Sequence, residues 1–231
     1  AILSGRIISI KQNGVEKLML SSSNSSANGP TLESQDPATS YGKILMIDPK
    51  NGETSIQAFG IRNTQGLVHY LGKTFMTDHG PDGGDELNVL TNEANFGWPY
   101  ASYGTPYPAE LNAFLKDNKF FNDHEKHGFK EPIFAFVPSI GISELVVLDD
   151  DYYPECKNCI LISSLNGRSL FFMRMSKEFD RVIFREKVYV GERIRDMFYD
   201  EDEKSIYLAL EETGSIAKIS NQISPITESN E

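Results

Sequence analysis

The part of this sequence best suited to chemistry is the twelve-residue run 77–88, which reads TDHGPDGGDELN. It contains four acidic residues, one histidine and three glycines, and it directly follows the apolar run Tyr70–Met76. Calcium prefers oxygen ligands, and a glycine-rich turn lets backbone carbonyls converge on a cation. Two interpretations are open from the residues alone: a loop that holds a ligand or a cation, and a solvated turn.

Two further segments carry groups that suit an anion. The run GIRNTQGL presents Arg62 and Asn63 between glycines, and the run GERIRD places Arg193 and Arg195 two positions apart. On a strand, residues two apart point to the same side. Paired guanidinium groups favour a multiply charged anion over an apolar core. The alternative for all four residues is a polar channel lining that binds nothing.

The elements that must position these groups read as short strands. Nine apolar runs are rich in β-branched and aromatic residues and are bounded by Gly, Asp, Asn or Ser. These runs are 43–47, 66–70, 74–76, 144–148, 159–162, 169–175, 187–190, 205–210 and 215–219. Only Pro108–Lys119 reads as a helix. The sequence therefore predicts an all-β fold.

The strand pattern also repeats. The segments 143–173 and 194–219 share one order: an apolar strand, an acidic turn, a second strand, a glycine turn and a third strand. The segment 67–77 resembles a less complete copy. Such three-strand units at intervals of about 40–50 residues are typical of β-propeller blades, which bury their faces only against their neighbours. The repeat favours a propeller over a sandwich.

Length and charge limit the possible partners. The chain has 231 residues and a formal net charge of −11, which argues against a nucleic-acid groove and an anionic membrane surface. No apolar run approaches the ~18 residues that span a bilayer. The composition predicts a soluble, acidic globular protein. Its length, residues 1–231, allows one large domain or two small ones, and we expect a disordered tail at 224–231. Because the chain opens AILSGR without Met, we expect a processed or truncated piece.

The only two cysteines form a short pair, Cys156 and Cys159. A zinc site needs four ligands, and no second cysteine pair or nearby histidine pair supplies them. A strand-like run follows the pair, whereas a thioredoxin-like site would begin a helix. A turn disulfide in an oxidising compartment and two free thiols are the main alternatives. A redox or metal role is the third.

Four motifs together resemble one known family. GIRNTQGL, TDHGPDGGDELN with NFGWPYASYG, PSIGIS and GERIRDMF occur in the order of the soluble quinoprotein glucose/sorbosone dehydrogenases, also called aldose sugar dehydrogenases. That family is a six-bladed β-propeller which binds pyrroloquinoline quinone (PQQ) and calcium at one end of its channel. The resemblance runs from about residue 42 to residue 219. It implies the same fold, with this chain covering roughly the last four blades.

The resemblance also implies ligand-binding residues. PQQ carries three carboxylates, which suits arginine and amide side chains. The residues implied for PQQ are Arg62, Asn63, Ser139, Gly141, Arg193 and Arg195. One calcium would take the main-chain carbonyls of Gly80 and Pro81, and a second calcium would take Glu86 and a carbonyl of Phe96. Calcium at the quinone oxygens would stabilise the charge that develops during hydride transfer.

Several positions depart from the family pattern. The position of the family's general base, a histidine, corresponds to Ile2 in this chain, so no catalytic residue is assigned. Without a base to accept the sugar proton, hydride transfer should slow by about 100-fold or more. A Gly-Asp strand end in the family falls on Ser23 and Asn24, and a lysine found near the cofactor in some members falls on Asn166. The first one or two blades are absent, so these residues alone cannot close a six-bladed ring.

The remaining candidate side chains have ordinary explanations. His79 is interpreted as structural, although it could be considered as a replacement base. His124 and His127 resemble a metal pair but lie in a charged loop, so both are interpreted as solvated surface. Trp98, the only tryptophan, is assigned to the core rather than to a sugar-stacking surface.

Two functions follow from the resemblance. The first is a PQQ-dependent oxidoreductase that oxidises aldose sugars at C1 with calcium-assisted hydride transfer to the quinone. The second is a catalytically inactive, calcium-stabilised propeller that binds a protein or a glycan. Either would be periplasmic or extracellular. The expected partners are an aldose sugar or other small molecule, and a protein or separate chain that supplies the missing blades.

Overall fold

The computed structural model describes residues 4–24, 32–107, 119–148 and 158–220. These residues form sixteen strands and two short 3-10 helices, at Leu32–Gln35 and Glu125–His127. The strands are β1 Ile7–Gln12, β2 Val15–Ser21, β3 Lys43–Ile47, β4 Thr54–Phe59, β5 Thr64–Tyr70, β6 Lys73–Asp78, β7 Asp85–Val89, β8 Ala94–Asn95, β9 Phe134–Phe136, β10 Ile142–Leu148, β11 Cys159–Ser164, β12 Ser169–Met175, β13 Val182–Tyr189, β14 Ile194–Asp200, β15 Ser205–Leu210 and β16 Ser215–Ser220. The all-β prediction is confirmed.

The strands form four sheets, which follow one another along the chain. The sheet orders are β1-β2-β3-β4-β8, β5-β6-β7-β9, β10-β11-β12-β13 and β14-β15-β16. All pairings are antiparallel except that of β4 with the two-residue strand β8. The two segments that predicted a repeat correspond to β10–β12 and β14–β16, and the less complete copy corresponds to β5 and β6. Each repeat is therefore one blade.

The first strands of the four sheets lie next to one another around a common axis. β10 packs beside both β5 and β14, and β5 packs beside β1. Buried hydroxyls join neighbouring blades: Thr77 donates to the carbonyl of Ser143 at 2.6 Å, and Ser143 donates to the carbonyl of Ile194 at 2.8 Å. The arrangement is that of a β-propeller, with the residues predicted to bind PQQ at the starts of the axial strands β5, β10 and β14.

Three apolar clusters fill the spaces between successive blades. One includes Phe75 and Phe171, from the second and third sheets, and another joins Leu161 of the third sheet to Ile206 of the fourth. The third cluster packs the first sheet on the second. A propeller blade has no core of its own, so these interfaces hold the molecule together.

The sequence pattern missed several strands. β1, β2 and β4 are largely exposed or half-buried and carry too many polar residues for the apolar pattern to mark them. β7 begins at Asp85, inside the segment interpreted as a loop. β1, β2 and β4 lack a continuous apolar pattern because only part of each packs on a core, whereas β7 is buried and was missed because it begins with two acids.

Several predictions fall outside the described residues. They are the helix predicted at 108–119, of which only Lys119 is described, the tail 224–231, and the positions Ile2 and Cys156. Cys159 is disulfide-bonded, and no free cysteine occurs in the described part of the chain. No helix in the described ranges is long and apolar enough to cross a membrane.

Candidate functional site

The glycine-rich loop between β6 and β7 is packed rather than solvated. A Cβ atom on Gly80 would lie 1.9 Å from the carbonyl oxygen of Gly84, and one on Gly84 would lie 2.0 Å from the backbone nitrogen of Gly104. The backbone at Gly80 and Gly84 therefore lies too close to neighbouring backbone atoms for either position to carry a side chain. Asp82 is exposed, but most of the loop and the start of β7 are buried. The interpretation of this segment as a solvated turn is wrong.

Asp85 connects the loop to another of the predicted ligand segments. Its Oδ1 accepts a hydrogen bond from the backbone nitrogen of Gly80 at 3.1 Å. Its Oδ2 accepts from the backbone nitrogens of Ile140 at 3.0 Å and Ile142 at 2.8 Å. These bonds hold the β6–β7 loop against the segment that contains Ser139 and Gly141. Asp85 is therefore a structural acid, which the sequence motif did not distinguish from a ligand.

Asp78 places the Arg62–Asn63 pair in the same way. Its carboxylate accepts hydrogen bonds from the backbone nitrogens of both residues, at 3.0 Å from Arg62. The guanidinium of Arg62 donates to the carbonyl of His79 at 2.6 Å and lies over the ring of Trp98, 5.2 Å from its centroid. Trp98 is buried, as predicted. Burial raises the pKa of Asp78, and the two backbone N–H groups counter that shift.

A small cavity lies where these segments meet. Its volume is about 10 Å³, which is room for about one water-sized sphere. Three of the four residues predicted to bind metal border it, namely Gly80, Glu86 and Phe96, whereas Pro81 does not. Its other lining residues are Arg62, Asp78, Gly84, Trp98, Ala101 and Ser102.

The electrostatics of the cavity centre on Glu86. Burial raises the pKa of this carboxyl to about 8, and the nearby Asp78 carboxylate adds to the effect. Asn88 donates one hydrogen bond to it at 3.1 Å. Nε2 of His124 lies 3.5 Å from its Oε1 without hydrogen-bond geometry, and burial lowers the pKa of His124, so the imidazole is neutral at pH 7. A bound cation would supply the positive charge that an ionised Glu86 lacks, although the positive charge of the Arg62 guanidinium would repel that cation.

The donor set for a cation is mixed. Within the described residues, no group of three or more His, Cys, Asp or Glu side chains could hold a metal. A cation here would depend on Glu86 together with backbone carbonyls, which is the set that the sequence predicted. Calcium accepts such oxygen ligands readily. The chemistry and the size of the cavity fit one small cation.

The two histidines of the charged loop behave differently from each other. His127 is exposed, as predicted, but His124 is only 1% exposed, so its assignment to the solvated surface is wrong. Its ring packs on that of Tyr103, with centroids 5.0 Å apart, and its backbone nitrogen donates to Glu131 at 3.2 Å. A charged local sequence hid the burial because these contacts come from residues outside the run.

Comparison with known proteins identifies the architecture. A family model described as Glucose / Sorbosone dehydrogenase matches residues 3–218 of the chain. The chain belongs to the glucose/sorbosone dehydrogenase family. The resemblance inferred from four motifs is thereby confirmed.

Individual relatives cover most of this chain but only part of themselves. Aldose sugar dehydrogenase YliI of Escherichia coli is 26% identical over 178 residues, which are 75% of this chain and 46% of that protein. A solved glucose dehydrogenase superimposes with a TM-score of 0.71 at 25% identity, over 90% of this chain and 61% of that one. The PQQ-bound aldose sugar dehydrogenase of Streptomyces coelicolor, 19% identical, shares the fold with a TM-score of 0.63. The chain spans about half the length of the curated relatives it matches.

The arginine pair of this family member lies on the fourth blade. Nε of Arg193 lies 3.1 Å from Oε2 of Glu211, and Nη2 of Arg195 contacts the same oxygen. Both side chains therefore point to one side, as predicted. They are about one-third and one-half exposed. Two guanidinium groups share one carboxylate, which leaves a surplus positive charge at this position.

The positions that depart from the family pattern serve local structure. The backbone nitrogen of Asn24 donates to the carbonyl of Arg62 at 2.8 Å, and the indole of Trp98 donates to the carbonyl of Asn24 at 3.1 Å. Ser23 accepts a hydrogen bond from the backbone nitrogen of Ser4 at 2.9 Å. Asn166 is exposed, and its backbone nitrogen would lie 2.8 Å from a Cβ on Gly141.

The sequence analysis missed Arg6, whose side chain contacts residues of the three other blades. Its guanidinium reaches Glu144 at 2.9 Å and Asp196 at 3.1 Å, and its Nε donates to the carbonyl of Gln65. Arg6 thus joins the axial strands of all four blades. The run GERIRD does contain Asp196, the acid that follows the arginine pair. No local pattern, however, shows that its ion-pair partner is Arg6, 190 positions away in the chain.

Proposed function

We propose that this chain is part of a PQQ-dependent oxidoreductase that oxidises aldose sugars at C1 and uses calcium beside the quinone. The supporting observation is the convergence of separate motifs at one end of the axis. Asp78 fixes Arg62 and Asn63, and Asp85 fixes the β6–β7 loop to the strand start at Ile142. The family assignment supplies the class of reaction, and the activity of the whole protein is part of the proposal.

The residues fit an anionic cofactor. Arg193 and Arg195 keep exposed guanidinium groups and a surplus positive charge beside Glu211, which suits a ligand with three carboxylates. Arg62 and Asn63 would hold the ligand from the second blade, and Ser139 and Gly141 would form a wall from the third. When bound, PQQ supplies the quinone that takes up the electrons of the sugar.

The residues also fit calcium. The carbonyls of Gly80 and Pro81 and the pair Glu86 and Phe96 would provide oxygen ligands in a tightly folded loop. The buried carboxyl of Glu86 lacks a full positive partner, and the cavity beside it has the size of one small ion. The role of the protein here is to hold donors in fixed positions and to exclude water, which strengthens electrostatic effects.

A catalytically inactive propeller that binds a protein or a glycan is the second candidate. The observation in its favour is Ile2, an apolar residue at the position that the family resemblance gives to the base. Calcium would then stabilise the scaffold without serving a reaction. Both candidate functions predict calcium binding, but only the oxidoreductase predicts binding of PQQ.

Titration of the full-length protein with PQQ, with and without Ca²⁺, separates these candidates. The quinone absorbance and the melting temperature would be followed together. We expect saturable PQQ binding that requires Ca²⁺ and that weakens at least tenfold in Arg193→Ala, with Arg181→Ala as an exposed control. Calcium stabilisation without PQQ binding would support the binding module instead. Failure of the PQQ-loaded protein to reduce a dye with any aldose would contradict the oxidoreductase.

We also propose a periplasmic or extracellular location. The disulfide at Cys159 supports it, because such bonds persist in oxidising compartments. The remaining blades would come from further sequence or from a separate chain.

A further inference from the structure

An acid pair lies on the axis beside the predicted ligand site and has no part in the family resemblance. Glu144, on β10, and Asp196, on β14, both contact Nη2 of Arg6, at 2.9 and 3.1 Å. Arg6 Nη1 also donates to Asp196 at 3.2 Å. Because both carboxylates contact the same nitrogen of Arg6, they lie next to each other.

This cluster adjoins the residues predicted to bind the ligand. The carbonyl of Gln65 accepts from Arg6, and the side-chain amide of Gln65 donates to Oδ1 of Asn63 at 2.9 Å. On the other side, Asp196 directly follows Arg195. The acid pair therefore lies between the two sets of anion-binding groups, rather than in a separate part of the fold.

The charges in the cluster do not balance when both acids are ionised. In the described part of the chain, Arg6 is the one cationic side chain within ion-pair distance of either carboxylate. The charged groups that face Glu144 are Arg6 from the segment before β1 and Asp196 from β14, and from β5 the backbone of uncharged Gly66 approaches its carboxyl. Burial raises the pKa of Glu144 to about 8; Arg6 counters this shift and Asp196 adds to it. A negative charge beside a carboxyl favours its protonated form, so the Asp196 carboxylate favours a proton on Glu144.

We propose that Glu144 and Asp196 share one proton at the ligand-binding end of the axis, and that an anionic ligand binds together with this proton. With the proton, the cluster of two acids and Arg6 is neutral. Without it, the cluster carries one negative charge next to the carboxylates of the ligand. This inference rests on the proposed function for the identity of the ligand, but the proton-sharing pair is a property of the protein alone.

The pH dependence has a defined sign. Below about pH 7 the pair already holds the proton, so ligand affinity is nearly constant. Above about pH 8 the free protein must take up a proton to bind the anion, so the dissociation constant rises with pH by up to tenfold per unit. Glu144→Gln mimics the protonated carboxyl and removes the dependence.

Calorimetry with PQQ as the probe tests the linkage. The full-length protein would be titrated from pH 7 to 9.5 at constant saturating Ca²⁺, in buffers of different ionisation enthalpy. We expect proton uptake above pH 8 that disappears in Glu144→Gln and in Asp196→Asn, and that persists in Glu212→Gln, which changes an exposed acid. Because Glu86 also titrates near pH 8, the difference between wild type and Glu144→Gln is the deciding quantity. An equal pH slope in these two proteins would overturn the inference.

A ligand-free measurement separates this inference from the proposed function. NMR of the glutamate side-chain carboxyl carbons should show two signals that titrate near pH 8, of which one is absent in Glu144→Gln and the other in Glu86→Gln. A Glu144 signal that titrates below pH 6 would overturn the shared proton whatever PQQ does. If PQQ does not bind at any pH while the Glu144 signal titrates near pH 8, the proposed function fails and the shared proton stands.

Discussion

The neighbouring acids Asp85 and Glu86 are alike in sequence but have different roles in the structure. Asp85 accepts three backbone hydrogen bonds and ties two loops together, whereas Glu86, its neighbour, faces the small cavity with one amide donor. Both oxygens of Asp85 already accept hydrogen bonds from the backbone, whereas Glu86 keeps oxygen lone pairs that could bind a cation. The motif GDE could be predicted to matter, but its division of roles depends on backbone groups from β10 that no local pattern reveals.

Asp85→Asn should destabilise the protein strongly. The amide keeps one acceptor oxygen but turns a donor toward backbone N–H groups, so at least one buried donor loses its partner. We expect a loss of about 2–4 kcal/mol in the free energy of unfolding. Urea denaturation measures it, with Asp82→Asn, on the exposed tip of the same loop, as the matched control. Equal stability of the two variants would show that the Asp85 bonds contribute nothing.

Glu86 should make stability depend on pH and on calcium. Its folded pKa is raised to about 8 from an ordinary value of 4.5, so the folded protein binds the proton more tightly than the unfolded chain. Without calcium, its contribution to stability therefore declines as pH rises from about 4.5 to 8. A cation that binds the ionised carboxylate reverses this decline.

Melting curves in EDTA and in Ca²⁺ test this effect. Above pH 7, Ca²⁺ should raise the melting temperature of the wild type more than that of Glu86→Gln, which loses the ligand of the second calcium. In EDTA, Glu86→Gln should be at least as stable as the wild type, because the neutral amide avoids burial of a charge. An equal calcium response in both proteins would place the metal elsewhere.

At the scale of elements, the sequence predicted strands where both faces are apolar. β11 and β12 pack between neighbouring blades and carry continuous apolar runs, so their positions were read correctly. β1 and β4 have a solvated face and were missed, because their polar residues break the pattern. The segments predicted to hold ligands stand out in the sequence because glycines and acids are depleted in strands. Their three-dimensional neighbours, such as Arg6 and His124, could not be found because those contacts join distant parts of the chain.

Gly80 in the β6–β7 loop is required by close backbone approach rather than by an unusual dihedral angle. Gly80→Ala should cost more than about 2 kcal/mol, since its Cβ would meet the carbonyl of Gly84 at 1.9 Å and cannot be relieved by a side-chain rotation. Gly52→Ala is the matched control: it has a φ of +74° but nothing within 4 Å, so it should cost only about 1 kcal/mol. Thermal unfolding compares the two. The reverse order of stability would show that the loop can move aside.

At the scale of the whole molecule, the fourth blade leaves one face without a neighbour. Phe198 on β14 and Ile216 on β16 are 62% and 69% exposed on this face, beside a groove of about 320 Å³. Between the described blades, by contrast, apolar side chains such as Phe171 and Leu161 are buried in the clusters that join successive sheets. Exposed apolar faces of this kind mark interaction surfaces. The four described sheets and the 61% coverage of a solved glucose dehydrogenase together suggest that further blades lie against this face in the assembled protein.

Thiol labelling of Phe198→Cys tests this expectation, because Cys159 is disulfide-bonded and does not compete. In the 231-residue chain the introduced thiol should react at nearly the rate of an unfolded control, because the face is open. In the protein assembled in its natural host it should react at least tenfold more slowly, because a neighbouring blade covers the position. Leu71→Cys, on the exposed β5–β6 turn, should react at the same rate in both. Equal reactivity of Phe198→Cys in both preparations would mean that the fourth blade ends the fold, and that the surface is open to another partner.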